Sequence, residues 1–407
     1  MTTTGALSHL RVLDLSRVLA GPWAGQMLAD LGAEVIKVEK PGQGDDTRAW
    51  GPPFLKDDHG RETRESAYYL SANRGKQSLA IDFTRAEGQD LVRQLAANCD
   101  VVLENFKAGG LAKYGLDYAS LRRIKPDIIY CSITGFGQDG PYAQRAGYDF
   151  LVQGMGGLMS LTGAPEGEPM KVGVALTDIF TGMYASVAVL AALSHRDRTG
   201  QGQHVDLALL DVQVAVLANQ AANYLVGGMV PRRLGNAHPN IVPYQAFATS
   251  DGHVILAVGN DAQFHKFCAV AGCPELAADP RYASNAGRVG NRDSLIPRLR
   301  QVLASRSSAA WIEMLEAAGV PCGPINTLDQ VFDNPQIRHR GMVAAVDHPL
   351  AGSVDLVANP IRFSETPISY ERAPPLLGAD TDALLARLLG LDEAAISGLR
   401  AKGVVGG

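Results

Sequence analysis

Short runs of β-branched and apolar residues alternate with helical stretches through about the first 135 residues of the chain. The predicted strands are 12–15, 35–39, 101–104 and 128–133, and the predicted helices are 24–31, 87–98 and 116–124. Short strands that alternate with helices are typical of a parallel sheet with crossover helices. The hydrophobic pattern therefore predicts the α/β fold class.

The pattern changes after a Gly-rich passage at 154–173. A helix is predicted to begin at Thr177 or Asp178, and its most apolar part, 183–193, is about half the length that crosses a bilayer. We therefore expect a buried core helix and no membrane partner. From about residue 234 the short runs are interrupted by Pro and Gly, which indicates a smaller second domain.

Composition narrows the function classes. The 407 residues exceed the roughly 250–300 at which a single core stops growing, so two domains are expected. The formal net charge of -5 comes without a basic stretch, which argues against a nucleic-acid partner. The five scattered cysteines include no CxxC pair, so neither a disulfide framework nor a metal site is expected.

Localisation is predicted from the same features. The first residues contain no apolar stretch of signal-peptide length, and the cysteine usage fits a reducing compartment. Both observations favour the cytoplasm.

The first strand–helix–strand unit ends in an acidic residue, Glu39, which is a feature of dinucleotide-binding proteins. However, Gly21 and Gly25 do not form the GxGxxG pattern that this function requires. Basic residues recur instead in loops that follow predicted strands, where open α/β sheets bind ligands. These cations, any of which is equally a solvated loop residue, predict an anionic ligand such as a phosphate: Lys40, Arg48, Arg74, Lys76 and Lys113.

Asp178 follows the run VGVALT and precedes the apolar helix. At the positive end of the helix dipole its carboxylate is expected to stay ionised. An Asp at this position is most often a structural helix cap, and composition does not separate a cap from a nucleophile. Tyr148 and Asp149 are equally open to interpretation as a turn or a core pair.

A series of segments carries a resemblance to a known family. In chain order they are RVLAGPWAGQMLADLGAEVIKVEKP at 17–41, SANRGKQSL at 71–79, ENF at 104–106, SITGFGQDGPY at 132–142, AGYDF at 146–150 and RTGQGQHVDLALLD at 198–211. Together they resemble the class III CoA-transferases over nearly the whole chain. The resemblance implies that Asp178 is a covalent nucleophile, thirty residues after an active-site tyrosine, Tyr148.

The resemblance also implies the remaining site residues. Backbone N–H groups of Gly259, Asn260 and Asp261 are expected to bind an oxyanion. The other implied ligands are Lys40, Arg74, Lys76 and Lys113 for the phosphates of coenzyme A and Asn105 for its nucleotide or pantetheine arm. Arg17, Arg48 and His238 are expected to bind the distal carboxylate of a dicarboxylate, because an arginine fork matches that planar group; a structural cation for Arg17 and a loop histidine for His238 are the alternatives. Coenzyme A is then a substrate, and no tightly bound cofactor is expected.

Four further stretches resemble family members that take coenzyme A from succinyl-CoA and give it to glutarate or hydroxymethylglutarate. They are GDDTRAWGPPF at 44–54, AANYLVG at 221–227, HPNIVPYQAF at 238–247 and VGNDAQF at 258–264. Leu19 stands where formyl-CoA transferase has a glutamine, which argues against formate and oxalate as substrates. Small dicarboxylic acids are therefore the expected substrates.

The fold implied by the resemblance is an interlocked homodimer. Each chain is expected to form a Rossmann-like large domain from residues 1–225, completed by 320–407, and a small α+β domain from 226–319. Two alternatives stay open. An α-methylacyl-CoA racemase shares the fold, but its His-Asp pair corresponds to Tyr148 and Asp149 here; a CoA-binding protein without chemistry would use Asp178 only as a cap.

Overall fold

A computed structural model of the chain describes residues 5–406. The chain forms two compact units, the first of which contains both ends of the chain. Unit 1 combines Met1–Gly157, Val172–Ala221 and Gln336–Gly407, and unit 2 combines Leu158–Lys171 and Ala222–Pro335. The domain limits expected from the sequence, at 225 and 319, stay a prediction.

The elements follow one another in a regular order. The strands are β1 (Arg11–Asp14), β2 (Glu34–Glu39), β3 (Phe54–Lys56), β4 (Glu62–Ser66), β5 (Lys76–Ala80), β6 (Val101–Glu104), β7 (Ile129–Thr134), β8 (His204–Ala208), β9 (Tyr244–Ala248), β10 (His253–Ala257), β11 (Cys322–Gly323), β12 (Val343–His348) and β13 (Gly352–Val357). The α-helices are α1 (Ala20–Asp30), α2 (Ala67–Leu70), α3 (Ala86–Ala97), α4 (Tyr118–Ile124), α5 (Asp149–Met155), α6 (Leu158–Leu161), α7 (Leu176–Thr199), α8 (Leu209–Ala215), α9 (Ala218–Gly227), α10 (Asp261–Val270), α11 (Pro274–Ala278), α12 (Asn285–Gly290), α13 (Arg292–Leu303), α14 (Ser308–Ala317), α15 (Leu328–Asp333), α16 (Pro335–His339), α17 (Thr381–Leu389) and α18 (Glu393–Ala401).

A six-stranded parallel sheet organises unit 1. Its order is β5-β2-β1-β6-β7-β8, and every neighbouring pair runs parallel. Leu13 and Ile36 belong to one buried cluster and Val12 and Val35 to another, because successive side chains of a strand point to opposite faces. Burial on both faces is what a parallel sheet requires, and the predicted α/β class is confirmed.

The strand order reverses between β1 and β6. From β1 the chain proceeds outward through β2 to β5, and from β6 it proceeds outward on the other side through β7 to β8. The loops that leave the carboxyl ends of β1 and β6 therefore diverge and open a crevice. Open α/β sheets bind their ligands in this kind of crevice.

Helix α7 is longer than the predicted apolar core of 183–193. It is long and apolar enough to cross a membrane by composition alone, but 44% of its most apolar window is buried in the protein. Its packing against α1 is close, since a Cβ atom on Gly182 would lie 2.7 Å from the carbonyl oxygen of Ala20. The predicted core helix is therefore present, and it is buried on one face while the opposite face is exposed. Its exposed apolar residues are Phe180, Met183, Tyr184, Val187 and Leu190.

Unit 2 has its own core. The antiparallel sheet β11-β10-β9 packs with helices α10 to α14, and its buried cluster includes Phe247, Phe264 and Trp311. Arg288 is fully buried there and donates to the carbonyl oxygens of Val242 and Tyr282. Unit 2 is thus a small α+β assembly stabilised by apolar packing around a bonded guanidinium.

Buried ion pairs involve side chains of β1, β2 and β5 in unit 1. Lys76 Nζ is 2.9 Å from Asp14 Oδ2, and Lys37 Nζ is 2.9 Å from Asp45 Oδ2; none of these four side chains is accessible to solvent. Lys76 also donates to the carbonyl oxygen of Pro22. Because desolvated charges are tolerated only when paired, each partner depends on the other.

We expect Lys76→Met to destabilise the protein by about 3–5 kcal/mol, because Asp14 would be left buried beside a residue that cannot compensate its charge. The free energy of unfolding in urea measures the effect. Lys40→Met is the matched control: Lys40 is exposed, so its loss should change the unfolding free energy by less than about 0.5 kcal/mol. Equal effects of the two substitutions would contradict the structural role of the Lys76–Asp14 pair.

Candidate functional site

Two neighbouring cavities occupy the crevice between β1 and β6. The first, of about 440 Å³, contains Asp178 and is called the Asp178 cavity. The second, of about 350 Å³, is lined by four lysines, Lys37, Lys40, Lys107 and Lys113, and is called the lysine cavity. Both are lined by Arg17, Asp46, Phe106 and Lys107, so they are adjoining compartments of one cleft.

Asp178 lies in the first turn of α7, and another carboxylate caps that helix. Asp149 Oδ1 accepts hydrogen bonds from the backbone N–H groups of Thr177 (2.8 Å) and Asp178 (3.3 Å). Gln153 Nε2 donates to the other oxygen of Asp149. The capping role that composition allowed for Asp178 therefore belongs to Asp149.

The Asp178 carboxylate is left without a hydrogen bond from any residue in the described part of the chain. Burial, followed by repulsion from the Asp149 carboxylate, raises the pKa of Asp178 to about 7. Burial and the Asp149 charge thus oppose the ionisation that the helix dipole was expected to favour, and Asp149 already accepts from the first amides of α7. A partly desolvated carboxylate without donors is a better nucleophile than a solvated one.

A loop after β7 brings Tyr148 and Arg145 to the same cavity. The two ends of the loop touch at two glycines: a Cβ on Gly135 would lie 2.6 Å from Gly147 Cα. Only glycine fits on either side of this contact, so the loop leaves and returns at one point. Tyr148, the residue before α5, and Arg145 both line the Asp178 cavity.

The loop after β1 is held in a strained conformation. Val18 has φ +71°, a left-handed conformation that β-branched residues rarely adopt. The side chain of Asn105 bonds both the N–H and the carbonyl oxygen of Arg17, and Asp45 accepts from the N–H of Val18. The side-chain amide of Asn105 therefore binds the backbone of this loop through both its oxygen and its nitrogen. Leu19, in the same loop, is buried in the wall of the Asp178 cavity.

The lysine cavity combines cations with aromatic rings. Lys40 and Lys113 are exposed and have no ion-pair partner within residues 5–406, where the structure is described. The ring of Phe83 makes edge-to-face contacts with Phe106 and Tyr114 at centroid distances of 5.7 and 5.8 Å. This surface combines flat apolar groups with positive charge, which suits a ligand that carries both a ring and phosphates.

Three predicted ligands have structural partners instead. Arg48 is buried and bonds Glu39 through two nitrogens at 2.8 Å. Arg74 is buried and bonds both oxygens of Asp30, and Lys76 is enclosed by its pair with Asp14. The expectation that Arg48 meets a distal carboxylate and that Arg74 and Lys76 meet phosphates does not fit this placement, because their donors already face protein acceptors.

The remaining predictions are placed as follows. Arg17 lines both cavities, but its guanidinium pairs with Asp46 at 2.9 Å. His238 and the loop 259–261 belong to unit 2. There the N–H of Gly259 donates to Gln263, the side chain of Asn260 accepts from the N–H of Gln263, and Asp261 pairs with Arg288. The roles expected for these unit 2 residues stay predictions.

Sequence reasoning missed Arg145, Lys107 and Tyr68. Burial, followed by the charges of Asp178 and Asp149, raises the pKa of Tyr68. Arg145 directly precedes the AGYDF segment at 146–150, and Lys107 directly follows the ENF segment at 104–106. Their proximity to those motifs was the available signal.

Within the described residues no group of three His, Cys, Asp or Glu side chains is arranged to hold a metal ion.

We expect the Asp178 carboxyl to titrate near pH 7 and Asp149→Asn to lower that pKa. Removing a neighbouring negative charge favours the ionised form, whereas an asparagine oxygen still caps α7. Isotope-edited infrared spectroscopy of the carboxyl bands measures the titration, with Asp178→Asn identifying the band. Glu87→Gln, at an exposed site on α3, is the control. An unchanged Asp178 titration in Asp149→Asn would contradict the proposed repulsion.

Comparison with known proteins agrees with this geometry. A family model described as CoA-transferase family III matches residues 7–381. A succinate–glutarate CoA-transferase of Agrobacterium fabrum is 53% identical over 394 residues, which are 96% of this chain and 97% of the relative. A succinyl-CoA:glutarate CoA-transferase of Homo sapiens is 45% identical over 405 residues, 100% of this chain and 91% of the relative.

A solved structure has the same fold. The crystal structure of a CAIB/BAIF family protein from Brucella suis matches with a TM-score of 0.83 and 52% identity, and the match covers 95% of this chain and 100% of that one. The family match spans residues 7–381, and the two relatives are 53% and 45% identical to the chain over 96% and 100% of its length. The chain is therefore a CoA-transferase and belongs to CoA-transferase family III.

Proposed function

We propose that this enzyme transfers coenzyme A from succinyl-CoA to glutarate or a closely related dicarboxylate, with Asp178 as the covalent nucleophile. The observation that carries the proposal is the Asp178 carboxylate, which accepts no hydrogen bond within the described chain and opens into a cavity adjoining a lysine-rich one. The names of the Agrobacterium and human relatives supply the acids.

The reaction consists of four acyl-transfer steps. The Asp178 carboxylate attacks the thioester carbonyl of succinyl-CoA, forms a mixed anhydride and expels the CoA thiolate. The thiolate attacks the aspartyl carbonyl, so that succinate leaves and an aspartyl-CoA thioester remains. The glutarate carboxylate attacks that thioester and again expels the thiolate. The thiolate then attacks the glutaryl carbonyl, which releases glutaryl-CoA and restores Asp178.

The lysine cavity is suited to the nucleotide end of the substrate. Lys40 and Lys113 are unpaired and exposed, so they are available to phosphate oxygens, and the Phe106 ring between the two cavities offers an apolar surface to the pantetheine arm. The thioester would then enter the Asp178 cavity. In this arrangement Asn105 acts by holding the loop that forms the shared wall.

Each anhydride must be protected from water, since hydrolysis would release the acid without transfer. The loop 259–261 stays our expected source of oxyanion donors and of closure. Tyr148, two-thirds exposed at the cavity wall, is a second candidate because a phenolic hydroxyl donates a hydrogen bond without becoming charged.

Two alternatives fit the geometry less well. A racemase needs a base on each side of the substrate carbon, and no histidine is among the described residues that line the Asp178 cavity. A passive CoA-binding protein would use Asp178 as a helix cap, a role that Asp149 fills. Transfer chemistry leaves the fewest of these side chains unexplained.

We expect the protein to convert succinyl-CoA and glutarate into glutaryl-CoA and succinate, and Asp178→Asn to lose at least about 1000-fold in rate because an amide oxygen does not form the anhydride. Mass spectrometry of the acyl-CoA products checks both. The acids tested as acceptors should also include hydroxymethylglutarate, malate, itaconate and mesaconate. A wild-type rate retained in Asp178→Asn would exclude the nucleophile assignment.

Borohydride or hydroxylamine added during turnover provides the matching control. Either reagent should modify the peptide that contains Asp178 only when an acyl-CoA is present, because only the thioester or anhydride is reactive enough. A label on another carboxylate would assign the nucleophile elsewhere while leaving transfer itself intact.

The exposed apolar face of α7 supports a proposal about assembly. Val187 is 62% exposed, and Phe150 of the neighbouring α5 is 59% exposed. A monomer rarely exposes so many neighbouring large apolar side chains. We therefore propose that a second copy of the chain covers this face in a homodimer.

The free thiols of all five cysteines support our proposal that the enzyme works in the cytoplasm.

We expect the wild-type protein to have twice the chain mass in light scattering and Val187→Asp to convert it largely to monomer, because a buried unpaired carboxylate opposes association. Ile124→Asp is the matched control: Ile124 is 46% exposed and lies on α4, against the other face of the sheet. Loss of the dimer in both variants, or in neither, would contradict the assignment of this face.

A further inference from the structure

Arg145 is a basic residue of the Asp178 cavity that the mechanism above does not use. Three described cations line this cavity: Arg17, Lys107 and Arg145. Arg17 is neutralised by Asp46, and Lys107 also lines the lysine cavity, where it is available to phosphates. Arg145 lines the Asp178 cavity but not the lysine cavity.

The guanidinium of Arg145 has no carboxylate or other hydrogen-bond acceptor within the described residues. It lies instead over aromatic rings, 4.5 Å from the centroid of Tyr142 and 5.6 Å from that of Phe136. Stacking on these rings restrains its position and leaves the N–H groups at its edge free. An unpaired guanidinium near a nucleophile is placed to receive an anion other than the reacting carboxyl.

The loop that carries Arg145 is fixed at its base by the contact between Gly135 and Gly147. Tyr148 follows directly after this contact, and its cavity wall is shared with Asp178. The tight contact therefore fixes the backbone two residues from Arg145, and the rings of Tyr142 and Phe136 lie under its guanidinium. A cation that recognises a distal carboxylate needs such a restricted position.

We propose that Arg145 determines substrate specificity by binding the distal carboxylate of the acyl group, the one that does not receive coenzyme A. This inference rests on the proposed function. It replaces Arg48 and Arg17, whose donors face Glu39 and Asp46. A planar guanidinium matches a carboxylate with two parallel hydrogen bonds, which a methyl group in the same place does not accept.

Both substrates of the proposed reaction present the same group to Arg145. Succinate and glutarate each have a free carboxylate at the far end, so one cation serves the donor and the acceptor half-reactions. The single methylene by which they differ changes binding only modestly in a cavity of this kind, whereas loss of the carboxylate removes the charged group that the guanidinium would bind with two hydrogen bonds. Arg145 therefore separates dicarboxylates from monocarboxylates more sharply than one chain length from the next.

The test compares glutarate with valerate, which has a methyl group in place of the distal carboxylate. For Arg145→Met we expect kcat/KM for glutarate to fall roughly 100-fold or more while that for valerate changes less than about threefold, so that the preference for glutarate is lost. Arg145→Lys should restore part of the glutarate rate. Calorimetry with free coenzyme A should give the wild-type Kd in both variants.

Lys40→Met provides the contrast. Loss of a residue that binds a phosphate of coenzyme A should raise the Kd for coenzyme A and lower the transfer rates to glutarate and valerate equally. If Arg145→Met behaves like Lys40→Met, or leaves both acceptors unchanged, the assignment of Arg145 is overturned. Wild-type enzyme that transfers coenzyme A to neither succinate nor glutarate would overturn the proposed function instead. The two failures are therefore distinguishable.

Discussion

The hydrogen bonds from the first amides of α7 to Asp149 are the constraint on which the site depends. They satisfy the helix end with a carboxylate from another element and thereby leave the Asp178 carboxylate without donors. The same contact fixes α5 against α7 and places two negative charges side by side. The packing of the core keeps the two carboxylates together despite their repulsion. The repulsion is relieved when Asp178 becomes a neutral acyl derivative.

The frame around this contact is rigid because its polar groups are paired. Asn105 and Asp45 hold the loop after β1 through its backbone, and Lys76, Lys37 and Arg48 neutralise acids beneath the cleft. Several residues with the charge expected of ligands are therefore structural. The cations left for substrates are the exposed ones whose donors meet no acceptor in the described chain.

The parallel sheet could be predicted from sequence because strand and helix periods differ and each β-branched run is short. The predicted strands agree with β1, β2, β6 and β7 to within one residue. Local pattern also located Asp178 at the start of a helix. It did not distinguish Lys76 from Lys40, since burial of a lysine depends on whether Asp14 of another strand faces it. Arg145 was missed because its proposed role depends on a guanidinium that meets no acceptor in the described chain, and local sequence does not show whether an arginine has such an acceptor.

Val18 gives the cleft a property that its neighbours do not have. A valine in the left-handed region is strained and keeps that conformation only where its surroundings hold it, as Asp45 and the Asn105-held Arg17 backbone do here. The wall between the two cavities is thus already ordered before any thioester arrives. An arriving substrate loses its own conformational freedom there but does not have to order the protein as well, which preserves binding energy for the chemical steps.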